Sequence, residues 1–250
     1  MYKIDKKINA SFGFLRWFVE TIPEIFDDHP VVIKNHRNVV KVFKVGDIQL
    51  VVKYYKKLTL ANRIIYKLFR KSKAERSYEY ALKLTEMGVT TPMPVGYIDL
   101  YEGIFLKQSY FVSLYVRCKP VKELFSTAST ESEKGLSDFA RFTYDLHRKG
   151  IFHGDFSLKN VLYYPIPDGY GFCLIDINRL RFRDYSRNIA IHNLRMLDLP
   201  MDMLASLMVE YSQIDQSDAY LTTGHLLFFK WCRRVISSIK RRLKSIIRIK

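Results

Sequence analysis

Hydrophobic and polar residues alternate along the first part of the chain as they do in β-strands. Between residues 31 and 56, the runs "VVIK", "NVVKVFKV" and "IQLVVKYY" are rich in β-branched and aromatic residues, and "VGD" between the last two predicts a turn. Because side chains alternate between the faces of a strand, the last run presents one apolar row and places Lys53 on the other face. The members of that row are Ile48, Leu50, Val52 and Tyr54.

Two later segments show helical spacing instead. "KAERSYEYALKLTEMG" predicts a helix that ends at Gly88, and "SEKGLSDFARFTYDLHRKG" predicts one that ends at Gly150. Between them, "VTTPMPVGYIDLYEG" is extended because of its prolines, and "IFLKQSYFVSLYV" predicts one or two more strands. "VLYY" and "FCLIDI" predict a short hairpin, and the pattern after Asp198 is helical again.

These elements predict an α+β fold, and the chain length allows one large domain or two small lobes. Residues 1–116 are expected to form an antiparallel sheet carrying one helix, and residues 117–225 a mostly helical part. Residues 226–250 are expected to form a separate basic tail. A chain of 250 residues that is 48% hydrophobic is long enough to bury a sizeable core in this way.

Positive charge is concentrated at the carboxyl end. The chain has 41 Lys and Arg against 25 Asp and Glu, a net charge of +16, yet residues 219–250 alone hold nine of the cations and no acidic residue. Apolar residues recur there at helical spacing between the cations, as in amphipathic helices that lie on anionic bilayers. We therefore predict that the tail binds an anionic membrane surface. The alternative is a helix that packs on the domain with a solvated basic face.

Several other classes of site are disfavoured. Cys118, Cys173 and Cys232 form no C-x-x-C pair, so no zinc site is expected. Arg16 and Glu20 interrupt the first apolar segment, so no signal peptide is expected, and no run of eighteen apolar residues predicts a membrane-spanning helix. No nucleic-acid recognition motif accompanies the basic excess, so no nucleic-acid partner is expected.

The chemistry is concentrated in "IFHGDFSLKNVLYY", residues 151 to 164. His153, Asp155 and Asn160 have the spacing H-x-D-x-x-x-x-N, which is typical of the catalytic loop of protein kinases and related phosphotransferases. Phosphoryl transfer needs a carboxylate beside the acceptor hydroxyl and oxygen ligands that hold Mg²⁺ against the phosphates. Asp176 lies in a second apolar run, where a carboxylate is costly unless a cation pairs with it. We predict that Asp155 is the base and that Asn160 and Asp176 are metal ligands.

The segment "DLHRKGIFHGDFSLKNVL" together with "LIDINRL" resembles the core of the protein-kinase-like superfamily. Within it, the chain is similar to the bacterial lipopolysaccharide kinases, which phosphorylate heptose or Kdo sugars of the inner core. The resemblance covers roughly residues 30 to 200 and is strongest from 144 to 182. It implies a two-lobed protein-kinase-like fold that uses ATP and Mg²⁺.

The resemblance also implies further roles. Lys53 matches the strand lysine that contacts the α- and β-phosphates of ATP, and Lys159 lies close enough to Asp155 to touch the transferring phosphoryl group. The helix glutamate that pairs with Lys53 is expected to be Glu79, with Glu75 as the second choice, because the two lie one turn apart on one face. His153 is expected to be structural.

The chain departs from the protein-kinase pattern in several places. No G-x-G-x-x-G precedes Lys53, where "KNHRN" stands instead, and backbone N–H groups or Arg37 are the candidates to cover the phosphates. Gly154 replaces the arginine of H-R-D, and Asp176 is followed by Ile-Asn rather than Phe-Gly. These departures favour a sugar or small-molecule kinase over a regulated protein kinase. A surface role and contact with an anionic acceptor are equally compatible with Arg179 and Arg181.

We therefore expect an ATP- and Mg²⁺-dependent kinase that phosphorylates a sugar hydroxyl of the lipopolysaccharide core. It is expected in the bacterial cytoplasm, peripheral on the inner face of the inner membrane. Two alternatives stay open: a kinase of the same superfamily that acts on a protein or a small molecule, and a catalytically inactive kinase-like module that binds membranes.

Overall fold

The computed structural model describes residues 2–28, 32–35, 38–56, 71–126 and 129–248. Arg37, named above as a candidate for the phosphate-covering loop, and the connection 57–70 lie outside the described residues. The chain divides into two compact units. The first comprises Met1–Arg117 and Cys173–Asn178, and the second comprises Cys118–Phe172 and Arg179–Lys250.

A six-stranded antiparallel sheet forms the first unit, with its strands in the order β1-β5-β6-β4-β3-β2. The predicted turn between β3 and β4 is confirmed, and Gly46 occupies it at a φ of 59°, which a glycine adopts without strain. The strands are β1 Lys3–Ile8, β2 Val32–Asn35, β3 Val39–Val45, β4 Ile48–Tyr54, β5 Pro94–Glu102 and β6 Phe105–Leu114.

One face of this sheet is covered by a 3₁₀ helix, Ala10–Leu15, and by helix α1, Arg16–Ile25. The buried side of α1 packs into the same core cluster as Leu50 and Val52 of β4, which confirms the predicted apolar row. Lys41 of β3 donates from Nζ to the carbonyl oxygens of Phe26 (2.5 Å) and Asp27 (3.1 Å), just beyond α1. A cation at the carboxyl end of a helix satisfies its last carbonyls.

Helix α2, Lys73–Glu86, packs on β5 and β6. It begins at Ser72, whose side chain accepts a hydrogen bond from the Glu75 backbone N–H at 2.9 Å, an ordinary N-cap. It ends as predicted beside Gly88, which has a φ of 66°. Tyr78 on its buried side contacts Tyr97 of β5, with ring centroids 5.7 Å apart.

The second half of the chain is mostly helical, with short strands between the helices. Strands β7, β9 and β10 form one small sheet in the order β10-β9-β7, and β8 pairs antiparallel with β11. The strands are β7 Lys119–Pro120, β8 Ile151–His153, β9 Val161–Ile166, β10 Gly169–Leu174 and β11 Leu180–Phe182. The α-helices are α3 Val121–Leu124, α4 Thr130–Arg148, α5 Arg187–Leu194, α6 Met201–Ile214 and α7 Ala219–Arg248, and 3₁₀ turns occur at Leu158–Asn160 and Ile177–Arg179.

The core of the second unit is built around helix α4. Its Phe139 is fully buried and lies in ring contact with four other phenylalanines of the unit. Gly150 ends the helix at a φ of 71°, as predicted, and a Cβ there would lie 2.3 Å from the Arg183 carbonyl oxygen. The four contacting rings are those of Phe125, Phe142, Phe156 and Phe172.

The predicted α+β class is confirmed, with an antiparallel sheet first and a mostly helical part after it. The structure adds β1, the 3₁₀ helix and α1, which the sequence did not predict, so the sheet unit holds two described α-helices where one was expected. Helix α7 begins at Ala219, before the predicted start of the tail at residue 226, and continues to Arg248. Within the described part of the chain, no helix is both long and apolar enough to span a membrane.

Candidate active site

Lys53 lies on β4, on the face opposite the buried Leu50 and Val52. Its Nζ donates a hydrogen bond to Asp176 Oδ1 at 2.5 Å, and the lysine side chain is only 14% exposed. Burial alone would lower the pKa of Lys53, but the Asp176 carboxylate outweighs it through its charge and its hydrogen bond, so the pKa is raised. The first unit therefore holds a cation at neutral pH that is largely shielded from water.

Asp176 lies two residues after the end of β10, in a backbone conformation that is uncommon for a residue other than glycine. Its φ is 56°, in the left-handed region, which costs a residue with a Cβ about 1–2 kcal/mol. Its Oδ1 also accepts a hydrogen bond from Asn178 Nδ2 at 2.6 Å. Strain of this kind is common at functional sites, where surrounding contacts hold a side chain in a required direction.

Tyr55 links this pair to helix α2. Lys53 Nζ lies 5.2 Å from the centroid of the Tyr55 ring, a cation–π distance. The Tyr55 hydroxyl shares a hydrogen bond of 2.7 Å with Ser77 Oγ on α2. Burial raises the pKa of Tyr55, so its hydroxyl stays protonated at neutral pH.

The expected ion pair between Lys53 and Glu79 is not formed among the described residues. Glu79 pairs instead with Lys71, which also lies 3.6 Å from Glu75. The reason is local: Lys71 stands just before α2 and reaches both glutamates, because residues four apart share one face of a helix. The ion-pair partner of Lys53 is Asp176.

In the second unit, the predicted loop follows β8 and is held by its own backbone. Asp155 N–H donates to Nδ1 of the buried His153 at 3.1 Å, and Asn160 Nδ2 donates to the Asp155 carbonyl at 2.8 Å. Both backbone polar groups of Asp155 are thus used inside the loop, while its side chain is 52% exposed. Asn160 closes the loop at the 3₁₀ turn Leu158–Asn160, so the predicted spacing brings these residues together.

Gly154 has a packing reason to lack a side chain. Its N–H donates to the Arg179 carbonyl at 3.1 Å, and a Cβ at this position would lie 2.4 Å from that oxygen. The same close approach brings Arg179 Nη1 to 3.8 Å from Asp155 Oδ2. An arginine from the following strand region therefore lies beside Asp155, although Gly154 has no side chain.

Lys159 is exposed, on the outer side of the 3₁₀ turn. Leu158 beside it is buried, and its N–H donates to Asp198 Oδ1 at 3.4 Å. The turn is thus fixed by Leu158, and Lys159 points to the exposed surface of the second unit.

Two contacts at these sites were missed by reasoning from the sequence. Asn178 was not singled out, although an asparagine two residues after the predicted metal ligand Asp176 is a candidate hydrogen-bond partner for it. The pairing of Arg179 with Asp155 had no signal in the sequence, because it depends on the pairing of β8 with β11.

The donor atoms are suitable for a hard divalent cation. Carboxylate and amide oxygens such as those of Asp176 and Asn160 are the ligands that Mg²⁺ prefers. Within the described residues, no group of three or more His, Cys, Asp or Glu side chains forms a self-contained metal site. Asp176 belongs to the first unit and Asn160 to the second, and Mg²⁺ bound with a nucleotide usually takes further oxygen ligands from phosphates and water.

Comparison with known proteins gives one family. The model of the lipopolysaccharide kinase (Kdo/WaaP) family matches residues 34–218, well over half of the chain. A search of curated protein sequences finds no significant match.

Solved structures agree on the fold. The structure of WaaP in complex with acyl carrier protein is similar with a TM-score of 0.62 and 15% sequence identity, over 90% of this chain and 96% of that one. The gentamicin–APH(2″)-IIa complex is similar with a TM-score of 0.54 and 12% identity, over 96% of this chain and 93% of that one. At such low identity, these similarities show the kinase-like fold.

Proposed function

The chain belongs to the lipopolysaccharide kinase (Kdo/WaaP) family and is a phosphotransferase with a hydroxyl acceptor, and from this premise we propose that it transfers the γ-phosphate of ATP to a sugar hydroxyl. We propose heptose or Kdo of the lipopolysaccharide inner core as the sugar. The observation on which the proposal rests is the Asp155 loop, which uses both backbone groups of Asp155 internally and leaves its carboxylate exposed.

In the second unit, we assign the proton-accepting role to Asp155. Its carboxylate would orient the acceptor hydroxyl and take its proton as the new bond to phosphorus forms. Lys159 would contact the transferring phosphoryl group, since it is exposed four residues after Asp155.

In the first unit, we assign the phosphate-contacting role to Lys53. Its raised pKa keeps it cationic, and its pairing with Asp176 fixes its position on β4. We propose Asp176 of this unit and Asn160 of the second unit as oxygen ligands for Mg²⁺, which, when bound with ATP, would neutralise charge on the phosphates. Glu79 stays a prediction for the nucleotide side of the site, with Lys71 as its present partner.

The rate of such a reaction would come from positioning and from electrostatic stabilisation. Phosphoryl transfer requires little covalent chemistry from the protein, so fixed charges and fixed geometry are its main contributions. The internally bonded loop and the strained Asp176 are devices of this kind.

The charge around Asp155 favours an anionic acceptor. On either side of the buried Leu180, Arg179 and Arg181 are exposed and alternate along the β11 region. They are candidates to contact carboxylate or phosphate groups of a core sugar. A cationic acceptor such as an aminoglycoside is disfavoured by the same arginines and by the net charge of +16.

Helix α7 supports the proposed contact with an anionic membrane surface. Leu226 is fully buried and Phe229 packs on His192, so this side of the helix faces the unit. A stripe of large apolar residues three to four positions apart is exposed on another side, with Arg233 and Arg234 also exposed. The stripe consists of Phe228 (57% exposed), Trp231 (61%), Val235 (37%) and Ile239 (51%). Leu243, Ile246 and Ile247, which continue the predicted pattern, lie where side chains are not described.

The test is transfer of labelled γ-phosphate from ATP to lipopolysaccharide core, with and without Asp155→Asn. We expect Asp155→Asn to lower kcat by about 10²–10⁴-fold, because it removes the proton acceptor while preserving shape. Mg·ATP should still raise the melting temperature of the variant, since a ligand that binds the native state stabilises it. Asp168→Asn, at an exposed turn of the same unit, is the matched control and should retain activity.

Full activity of Asp155→Asn would overturn the assignment of the base. Absence of any Mg·ATP stabilisation in the unaltered protein would favour the catalytically inactive module instead. Transfer to a protein or a small molecule, but to no core sugar, would favour the other kinase alternative.

A further inference from the structure

A chain of buried hydrogen bonds runs from helix α6 through α4 and α5 to the Asp155 loop, all within the second unit. Tyr211 of α6 contacts His147 of α4 through its hydroxyl (2.9 Å to Nδ1), and His147 Nε2 contacts Asn193 Oδ1 of α5 (3.2 Å). Asn193 Nδ2 then donates to the carbonyl oxygen of His153 at 2.9 Å. We propose that His147 and Asn193 are positioning residues that hold the Asp155 loop for phosphoryl transfer, an inference that rests on the proposed function.

The hydrogen bond from Asn193 to His153 determines which group donates and which accepts in each of the other hydrogen bonds of this series. Because Asn193 uses its amide N–H₂ on the His153 carbonyl, its oxygen faces His147 and must accept. His147 therefore carries its proton on Nε2, and its Nδ1 accepts from the Tyr211 hydroxyl. The series of hydrogen bonds therefore requires a neutral His147 imidazole, with one nitrogen as donor and the other as acceptor.

The environment keeps His147 in that neutral form. Its side chain is 1% exposed, and burial lowers the pKa of the imidazole to about 4, with only a partial opposing effect from Asn193. At neutral pH the donor–acceptor pattern is therefore constant.

This series of hydrogen bonds ends at His153, where the Asp155 loop begins. His153 is the last residue of β8, and both its backbone and its ring are engaged: its carbonyl accepts from Asn193 and its Nδ1 accepts from the Asp155 N–H. A residue fixed through both its backbone and its ring fixes the peptide that leads to Asp155. Asn193 therefore acts on the proposed base through a single intermediate residue.

Ring contacts support the same segment. The His147 ring stacks on Phe152 of β8 with centroids 5.1 Å apart and an angle of 16° between the planes. Phe156, just after Asp155, contacts the His147 ring at 6.4 Å and the His153 ring at 6.3 Å. His147 thus touches residues on both sides of the loop that holds Asp155.

A purely structural role predicts a different experimental result from a positioning role. Loss of a buried hydrogen bond that serves stability alone lowers the melting temperature without changing kcat in the folded enzyme. A positioning role predicts a fall in kcat with little change in KM for ATP, because the interaction matters for the reacting geometry.

The experiment compares Asn193→Leu, His147→Leu and His147→Gln with the unaltered protein, well below their melting temperatures. We expect Asn193→Leu and His147→Leu to lower kcat at least tenfold, with KM for ATP changed less than threefold. His147→Gln should restore kcat to within about threefold of the unaltered protein, because its amide offers one donor and one acceptor as the neutral imidazole does. The control Ser212→Ala loses a buried hydrogen bond to Thr222 (2.6 Å) and should change the melting temperature but not kcat.

A second measurement does not depend on activity. Hydrogen exchange of the Asp155 amide, which donates to His153 Nδ1, should be at least tenfold faster in Asn193→Leu and unchanged in Ser212→Ala. If the unaltered protein transfers no phosphate, the proposed function fails and this exchange measurement still decides the role of the chain. Should Asn193→Leu not fold, the comparison of His147→Leu with His147→Gln decides it. Unchanged kcat and unchanged exchange in folded Asn193→Leu or His147→Leu would overturn the proposal.

Discussion

Asp176 combines a left-handed backbone with a carboxylate that holds Lys53, and these two properties have separable energetic effects. Substitution by alanine or by glycine removes the carboxylate, but of these two only glycine also relieves the backbone. The balance between strain and function at this residue can therefore be measured by comparing two small side chains.

We expect Asp176→Gly to be more stable than Asp176→Ala by about 1 kcal/mol, because alanine retains the left-handed penalty and glycine does not. Both variants should lose activity. Chemical denaturation gives the free energies of unfolding. Gln216, with a φ of 51° in the second unit, offers a control: Gln216→Gly should likewise exceed Gln216→Ala in stability, with activity retained. Equal stability of the two Asp176 variants would contradict a strained aspartate.

At the scale of elements, the notable feature is a buried aspartate, Asp99, among strands β1, β5 and β6 and helix α2. Asp99 of β5 is fully buried and lies directly between Asp5 and Ser109 in the strand register. No hydrogen-bond partner of its carboxyl oxygens is present among the described residues, although Ser72 and Ser109 lie near. Burial, opposed by these serines and reinforced by Asp5 and Glu75, raises the pKa of Asp99 to about 7.

A raised pKa in the folded state predicts stability that falls as the pH rises. Between about pH 4 and pH 7 the unfolded chain has lost the Asp99 proton while the folded protein retains it, so the free energy of unfolding decreases across this window. Asp99→Asn should remove this dependence and stabilise the protein at pH 8 by about 2–4 kcal/mol. Denaturation curves at pH 5 and pH 8 measure this. Asp47→Asn, at an exposed turn of the same unit, should change neither value, and a pH profile of Asp99→Asn identical to that of the unaltered protein would refute the assignment.

Elements whose ends are marked by local residues were predictable from the sequence. Helices α2 and α4 each combine a periodic apolar face with a glycine at the end, so the pattern located them before any tertiary contact was known. The loop from His153 to Asn160 was predictable because its hydrogen bonds join residues two to five positions apart.

Elements that depend on distant partners were not predictable. Arg16 and Glu20 interrupt the apolar pattern of α1, which becomes recognisable only against the core of the sheet. Lys71 takes Glu79 away from Lys53, and Asn193 reaches His153 across forty positions. Such contacts are determined by packing, and a single sequence has no local signal for them.

At the scale of the whole molecule, net charge and exposed apolar surface coincide on α7. Cations near an anionic surface each contribute about 1 kcal/mol, and partly inserted aromatic rings add apolar burial. We expect the protein to co-float with vesicles that contain anionic phospholipid, and to do so less as salt concentration increases.

Phe228→Ser combined with Trp231→Ser should weaken this binding about tenfold or more, since both exposed rings would be lost. Tyr115→Ser, at an exposed aromatic in the other unit, is the control and should bind normally. Equal binding to neutral vesicles would exclude the electrostatic part of the proposal. Absence of vesicle binding would leave the stripe as a contact surface for another protein.

The segment before the family match has a practical meaning for anyone who shortens this protein. Strand β1 pairs with β5 along six residues, and α1 seals the apolar side of the sheet, yet both precede residue 34, where the match begins. A fragment limited to residues 34–218 would leave β5 as an edge strand with unpaired backbone N–H and C=O groups, and it would expose the apolar face of the sheet that α1 covers. Exposed edge strands pair with other copies of the same protein, so this fragment is expected to aggregate. Family boundaries are therefore the wrong cloning limits here.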